Sequence, residues 1–336
     1  MNKSDIRKVI GQSILADGMS PVIDLEKSHG SWLVDKVTDK KYLDLFSMFA
    51  SLSVGYNHPY VLEQSERLKI AAINKPTNSD VYSQEMAEFV QTFKRVAQPD
   101  YLPLTFFIEG GGLAVENALK AAFDWKRRKN LAKGSSAKGE KVIHFKQCFH
   151  GRTGYTMSLT DSPDKRKTMY FPKFDWPRIT NPKITFPLAD NIDHVIELEN
   201  QAINEIKDAI SDNPDNIASI IIEPIQGEGG DNHFRCEFMQ SLRQIADEND
   251  IILIYDEVQT GVGVTGKMWA HQHFSNDDCS ASQCKCGDGL LAVPDIISFG
   301  KKTQVCGVAA STSCLLYTSD AADEGLGVDL GGRRII

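Results

Sequence analysis

Three features of the sequence predict an α/β fold, with a mostly parallel central sheet flanked by helices and a small α+β segment at the N-terminus. Short apolar runs recur at 104–108, 141–145, 218–222, 251–255 and 295–299. Charged stretches of helical periodicity, such as 195–211 and 238–250, separate several of them. The runs are continuous rather than alternating, as in strands covered on both faces.

Taken in order, residues 6–15 read as a short helix, and 22–26, 31–35 and 42–45 as short strands between Gly-, Asp- and Lys-rich turns. From 59 to 96 the apolar spacing is helical, with a break near Lys75-Pro76. The run 104–108 leads through Glu109-Gly110-Gly111-Gly112 into 113–128, whose Ala, Leu, Phe and Trp fall at helical spacing. That is strand, glycine turn, helix. The later runs continue the alternation, and no internal repeat is found. Residues 134–139 read as a surface loop and 276–289 as a polar, Cys-rich insertion.

The chain has 336 residues, 41% hydrophobic and 24% charged, with a formal net charge of −8. This is the composition of a globular protein with a full core, not of a disordered or fibrous one. The mild acidity, with no basic stripe, argues against a nucleic-acid binder or a polybasic membrane-surface protein. The longest apolar runs, 217–222 and 251–255, fall far short of the roughly 18 residues of a bilayer span. The N-terminus mixes charge into its apolar residues, and the seven cysteines are odd in number and sparse. A reducing, cytoplasmic setting is the expectation.

In open α/β sheets ligands sit beyond the carboxyl ends of the strands. Here those ends carry the glycine turn, then Cys148-Phe149-His150-Gly151-Arg152, then Glu223, Asp256-Glu257 and Gly300-Lys301-Lys302. A glycine turn at a helix N-terminus can cradle a phosphate, although a lone GGG serves a tight turn as readily. Asp256 alone could equally cap a helix or pair with a cation. Taken together, a phosphate cradle, an aromatic face, a carboxylate and a strand-end lysine suit pyridoxal phosphate. That cofactor needs an amine to hold it, an anion for its ring nitrogen and an anchor for its phosphate.

The wording of these segments resembles the class III, fold-type I pyridoxal-phosphate aminotransferases. The likeness is carried by DKKYLDLFSMFASLSVGYNHP (39–59), FIEGGGLAVENALKAAFDW (107–125), FHGRTGYTMSL (149–159), FPKFDWP (171–177), IEPIQGEGGDNHFR (222–235), IYDEVQTGVGVTG (254–266) and PDIISFGKKTQVCG (294–307). FHGRT, FDWP and DEVQTG are shared with 4-aminobutyrate transaminases. The longer wording around 110–126, 227–235 and 299–307 is similar to the branch that takes the ε-amino group of L-lysine.

This resemblance implies transfer of that amine to 2-oxoglutarate, with another ω-aminotransferase, using 4-aminobutyrate or ornithine, as the alternative. By position, Lys301 resembles the lysine that holds the cofactor and Asp256 the partner of the ring nitrogen. Gln259 resembles the contact to the ring hydroxyl, Gly111 and Gly112 the phosphate site, and Phe149 the stacking aromatic with His150 beside it. Arg152 resembles the grip on a substrate carboxylate. Glu228 resembles the glutamate that pairs with a second arginine, and Glu223 is expected to support the cofactor face. Lys302 is expected to be structural or exposed.

The resemblance further implies a homodimer when complete. It divides the chain into an N-terminal segment of a small domain (1–58), an incomplete large cofactor-binding domain (59–309) and a non-native tail (310–336), with the C-terminal domain missing. A chain so truncated is expected to be inactive. The insertion holds Cys279, Cys284 and Cys286 near His271 and His273. Its C-x4-C-x-C spacing is no standard zinc pattern, so a surface loop and no metal are expected.

Overall fold

The computed structural model describes residues 1–15, 18–74, 81–274 and 292–314. Contacts divide the chain into two units, 1–92 and 93–336.

In the first unit, β1 (Trp32–Val34) and β2 (Lys41–Leu43) form an antiparallel pair. The segment 22–26 makes only a single bridge, Ile23 to Asp35, because its backbone is taken up by turns. Asp35 Oδ1 accepts from Val22 N at 3.0 Å, and the buried Asp24 accepts from Glu26 N and Lys27 N. The first helix is shorter than expected, Ile6–Gly11. Pro59–Glu63 and Ser65–Asn74 are helical as predicted but bury no residue. The contact boundary falls between 92 and 93. It lies inside the Gln84–Val96 helix, whose one buried residue, Phe93, packs on Phe107 and Phe299 at ring distances of 5.5 and 5.0 Å.

The second unit is built on a seven-stranded sheet. Its strands are β3 (Leu104–Ile108), β4 (Lys141–Phe145), β5 (Arg178–Ile179), β6 (Ile217–Ile222), β9 (Ile252–Asp256), β10 (Ile296–Phe299) and β11 (Cys306–Ala310). The order is β3-β11-β10-β9-β6-β4-β5, with β11 antiparallel to both neighbours and the remaining pairs parallel. A two-stranded ribbon, β7 (Ile225–Gln226) and β8 (Asn232–His233), follows β6. The predicted apolar runs are thus all strands, and β6, β9 and β10 are buried at every residue.

Long helices at Gly111–Ala132, Leu188–Asp212 and Cys236–Glu248 accompany the sheet. Two apolar clusters result. One joins Phe238, Leu242 and Ile206 to Ile220 and Leu253, and the other joins Val115, Leu119 and Trp125 to Ile221 and Ile254. Residues alternate between these clusters along β6 and β9, so both sheet faces are covered, and each large side chain withdrawn from water contributes roughly 1.5–3 kcal/mol.

The fold also continues past the point where the sequence reading ends the native chain. Ala310 completes β11, Cys314 is buried, and Trp125 Nε1 donates to Ser313 O at 2.8 Å. Residues 315–336, and the insertion 276–289 with Cys279, Cys284 and Cys286, lie outside the described residues. His271 is not poised for a metal: its Nδ1 and backbone N–H meet Glu257 Oε1 at 2.8 Å, and its Nε2 meets the Tyr101 hydroxyl at 2.7 Å.

Candidate active site

Strands β3, β4, β6, β9 and β10 run the same way, so their carboxyl ends share one edge of the sheet. Asp256 ends β9 and is 4% exposed. Its Oδ1 accepts from Ser298 Oγ at 2.9 Å and Val258 N at 3.1 Å, and its Oδ2 meets His150 Nδ1 at 2.8 Å. An ionised carboxylate offers about four lone-pair sites. The three partners leave capacity for one more donor.

His150 is buried, and its Nε2 has no partner among the described residues. Burial works against a proton on this ring, while the Cys148 sulfur and the Asp256 carboxylate favour it, and the balance lies well above the ordinary histidine range. Cys148 Sγ donates to Leu159 O at 3.1 Å, and Asp256 is the carboxylate that bonds the His150 ring directly. Glu223, at the end of β6, accepts from Phe149 N at 2.9 Å through Oε2. Its burial pushes the carboxyl up to about 8, against the pull of His150.

Lys301 follows β10 at φ +52, a left-handed conformation uncommon outside glycine. Its Nζ donates to Gln259 Oε1. Burial lowers the proton affinity of this amine, with Asp256 and Glu223 acting in the opposite sense. Lys302 is not exposed: it is 8% accessible and donates to Gln259 O at 2.7 Å, which makes it structural.

The glycine turn joins this group through Val258. A Cβ on Gly111 would stand 2.9 Å from Val258 Cγ1, and one on Gly300 would stand 3.6 Å from the same atom. On the other side, Gly151, at φ +118, approaches the Gly112 Cα so closely that a Cβ there would lie 2.9 Å away. The Gly111–Ala132 helix has no side-chain cap, so its first N–H groups and its dipole are open to an anion.

Arg152 stands apart from this cluster, and Glu228 borders it through its charge on Glu223. Arg152 is exposed and lines a cavity of about 700 Å³ with Glu116, Tyr155, Lys167, Phe171 and Phe174, a lining that includes neither Lys301 nor Asp256. Glu228 Oε1 accepts from Ser162 Oγ at 2.7 Å and Lys167 Nζ at 2.8 Å. Sequence reasoning missed Ser298 and Lys167. Ser298, a hydroxyl inside an apolar run, was a readable signal; Lys167, in a charged stretch, gave none.

The class-III aminotransferase family model matches residues 14–314. L-lysine-epsilon aminotransferase of Mycobacterium tuberculosis is 49% identical over 309 residues, covering 91% of this chain and 65% of the relative. The enzyme of that name from Streptomyces clavuligerus is 46% identical over 311 residues, with 92% and 64% covered. A 4-aminobutyrate aminotransferase from Dictyostelium discoideum is 33% identical over 303 residues, with 84% and 58% covered. Among solved structures, lysine aminotransferase from M. tuberculosis in the internal aldimine form matches with a TM-score of 0.87 at 46% identity, covering 98% of this chain and 71% of that one. The chain therefore spans about two thirds of the length of these lysine relatives. With the family pattern running through the strands, the glycine turn and the strand-end lysine alike, this chain belongs to the class-III aminotransferases.

Proposed function

We propose that the chain forms the cofactor site of a pyridoxal-phosphate-dependent transaminase that moves the ε-amino group of L-lysine to 2-oxoglutarate, giving glutamate and 2-aminoadipate 6-semialdehyde. The observation that carries this reading is the convergence of the Lys301 amine and the Asp256 carboxylate at neighbouring strand ends, beside an uncapped, glycine-led helix N-terminus. The residues fit the cofactor. Asp256 has one acceptor site left for a ring N–H, and the glycines leave backbone N–H groups accessible to a phosphate. When bound, pyridoxal phosphate supplies an electron sink for loss of a proton from the amine-bearing carbon.

In this reading Lys301 holds the cofactor and then moves that proton as base and acid. Asp256 keeps the ring nitrogen protonated, and His150 and Ser298 keep Asp256 in place. Gln259 meets the ring hydroxyl, Phe149 lies against the ring, and Gly111 and Gly112 take the phosphate. Arg152 grips a substrate carboxylate in the aromatic cavity, where its neighbour Lys167 is paired with Glu228 at 2.8 Å. The reading extends to a cytoplasmic homodimer. Exposed Met169, Tyr170, Phe171 and Phe174 form apolar surface on one short segment, of the kind a second copy covers.

Donor profiling tests the reading. The protein, extended by the C-terminal third that its lysine relatives carry beyond the matched region, is offered L-lysine, L-ornithine or 4-aminobutyrate with pyridoxal phosphate and 2-oxoglutarate, and glutamate is measured. The highest kcat/KM is expected for L-lysine. A preference for either rival overturns the donor assignment, and glutamate from none of them overturns the transaminase reading. In the same assay Arg152→Lys is expected to cost about ten- to hundredfold in kcat/KM for L-lysine and 2-oxoglutarate alike, because an ammonium cannot reproduce a bidentate grip. Unchanged kinetics for both substrates would sink that assignment.

A further inference from the structure

We propose that Glu223 is a positioning residue: its carboxyl anchors the Phe149 backbone, and through it the aromatic ring, at the shared strand-end edge beside Asp256 and Lys301. The inference rests on the cofactor reading above and deepens it.

The segment that leaves β4 must turn sharply to bring Phe149 and His150 back over the sheet. It does so with Gln147 at φ +63 and Gly151 at φ +118. Its backbone polar groups are then satisfied one by one. Gln147 N donates to Asp161 Oδ2 at 2.9 Å, Cys148 O accepts from Asp161 N at 2.8 Å, and His150 N donates to Thr160 Oγ1 at 3.1 Å. All three bonds reach 160–161, downstream on the same excursion, so they shape the turn without fixing it to the sheet. Gln147 is held from outside the turn by its side chain, which accepts from Asn181 Nδ2 and Asn232 Nδ2, and two bonds fix residues 149–150 to the sheet itself. One is His150 Nδ1 to Asp256, and the other is Phe149 N to Glu223 Oε2 at 2.9 Å. Since β6 lies between β4 and β9, the second bond ties the turn to the middle of the sheet.

The charge state of Glu223 suits a clamp. Four groups face it: His150 from the turn, Asp256 from β9, Lys301 from beyond β10 and Glu228 from beyond β7. Burial holds the carboxyl protonated through the neutral range. A neutral acid still accepts the Phe149 N–H through its carbonyl oxygen, and it adds no second negative charge beside Asp256.

The test compares the wild-type protein with Glu223→Gln, which keeps a carbonyl acceptor of the same shape, and Glu223→Ala, which removes it. Amide hydrogen exchange of the peptide 146–152 is followed by mass spectrometry without added cofactor, and pyridoxal phosphate binding is followed by its absorbance. Glu223→Ala is expected to speed exchange in that peptide at least tenfold and to weaken cofactor binding at least tenfold. Glu223→Gln is expected to restore both to within about twofold of wild type. Wild-type exchange in a folded Glu223→Ala protein overturns the anchor. Loss of both properties in Glu223→Gln, with the fold intact by circular dichroism, overturns it too. If the wild-type protein itself binds no pyridoxal phosphate, the proposed function fails, and the exchange comparison still decides the anchor.

Discussion

Replacing Lys301 with alanine is expected to abolish covalent fixation of pyridoxal phosphate by borohydride and to lower glutamate formation by at least about 10²–10⁴-fold, the range lost when a positioned proton-transfer group is removed. Two adjacent lysines compete for this role, and their proton affinities alone do not choose correctly. Burial, with Lys301 as a like-charged neighbour, lowers the Lys302 amine to about 8, which would make Lys302 an able nucleophile. Geometry decides the other way. Lys302 Nζ is spent on Gln259 O at 2.7 Å, and the carboxylate that acts on it is Glu257, which is itself buried against His271. Lys301 instead feels Asp256 and Glu223, the two carboxyls of the strand-end edge, and its donor contact is the Gln259 side chain. Peptide mapping of the borohydride-reduced protein is therefore expected to place the label on Lys301, with none on Lys302. Lys302→Met should keep the label while loosening the segment around Gln259. A label on Lys302 in the wild-type protein would reverse the assignment.

The sequence was legible wherever one physical requirement dominated. The half-buried β3 and the largely buried β4 were readable to the residue from their apolar runs, and β6, β9 and β10, buried at every residue, shifted by a single residue at one or both ends. The antiparallel β11 was missed. Its sequence, CGVAA, lacks the large branched and aromatic side chains that signal a strand, and its packing explains why. A Cβ at Gly307 would stand 2.3 Å from Phe106 O and 2.8 Å from the Phe299 ring, so the interior position between β3 and β10 admits only small residues. In the site, the strand-end positions of Asp256, Glu223 and Lys301 were visible from the polar residue that closes each apolar run. The bonds among them were not. Phe149 and Glu223 are 74 residues apart and His150 and Asp256 are 106 apart, and such pairings exist only once the strand order is set.

Asp256→Ala is expected to cost about 3–5 kcal/mol of stability, the range for removing one partner of a buried ion pair, and to prevent tight cofactor binding. The cost is large because Asp256 satisfies three groups at once. Without it, His150 Nδ1 and Ser298 Oγ lose acceptors inside the core, and the Val258 N–H at the start of the next turn is freed. Asp256→Asn separates the charge from the hydrogen bonds, since one amide oxygen can still serve Ser298 and Val258 while no anion faces His150.

The sign of the pH effect follows from His150. In the wild-type protein its proton affinity is raised above the ordinary value near 6.5 in spite of burial, so the stabilisation is fully present below that pH and is lost as pH rises through the raised value. In Asp256→Asn the opposing carboxylate is gone and only the Cys148 sulfur offsets burial, so the proton affinity of His150 falls and the alkaline loss of stability attributed to it moves to lower pH. Urea unfolding between pH 6 and 9, together with nitrogen shifts of labelled histidine, measures both effects. If the proton affinity of His150 is unchanged in the Asp256→Asn protein, another group holds that proton and the pairing described here is not its cause.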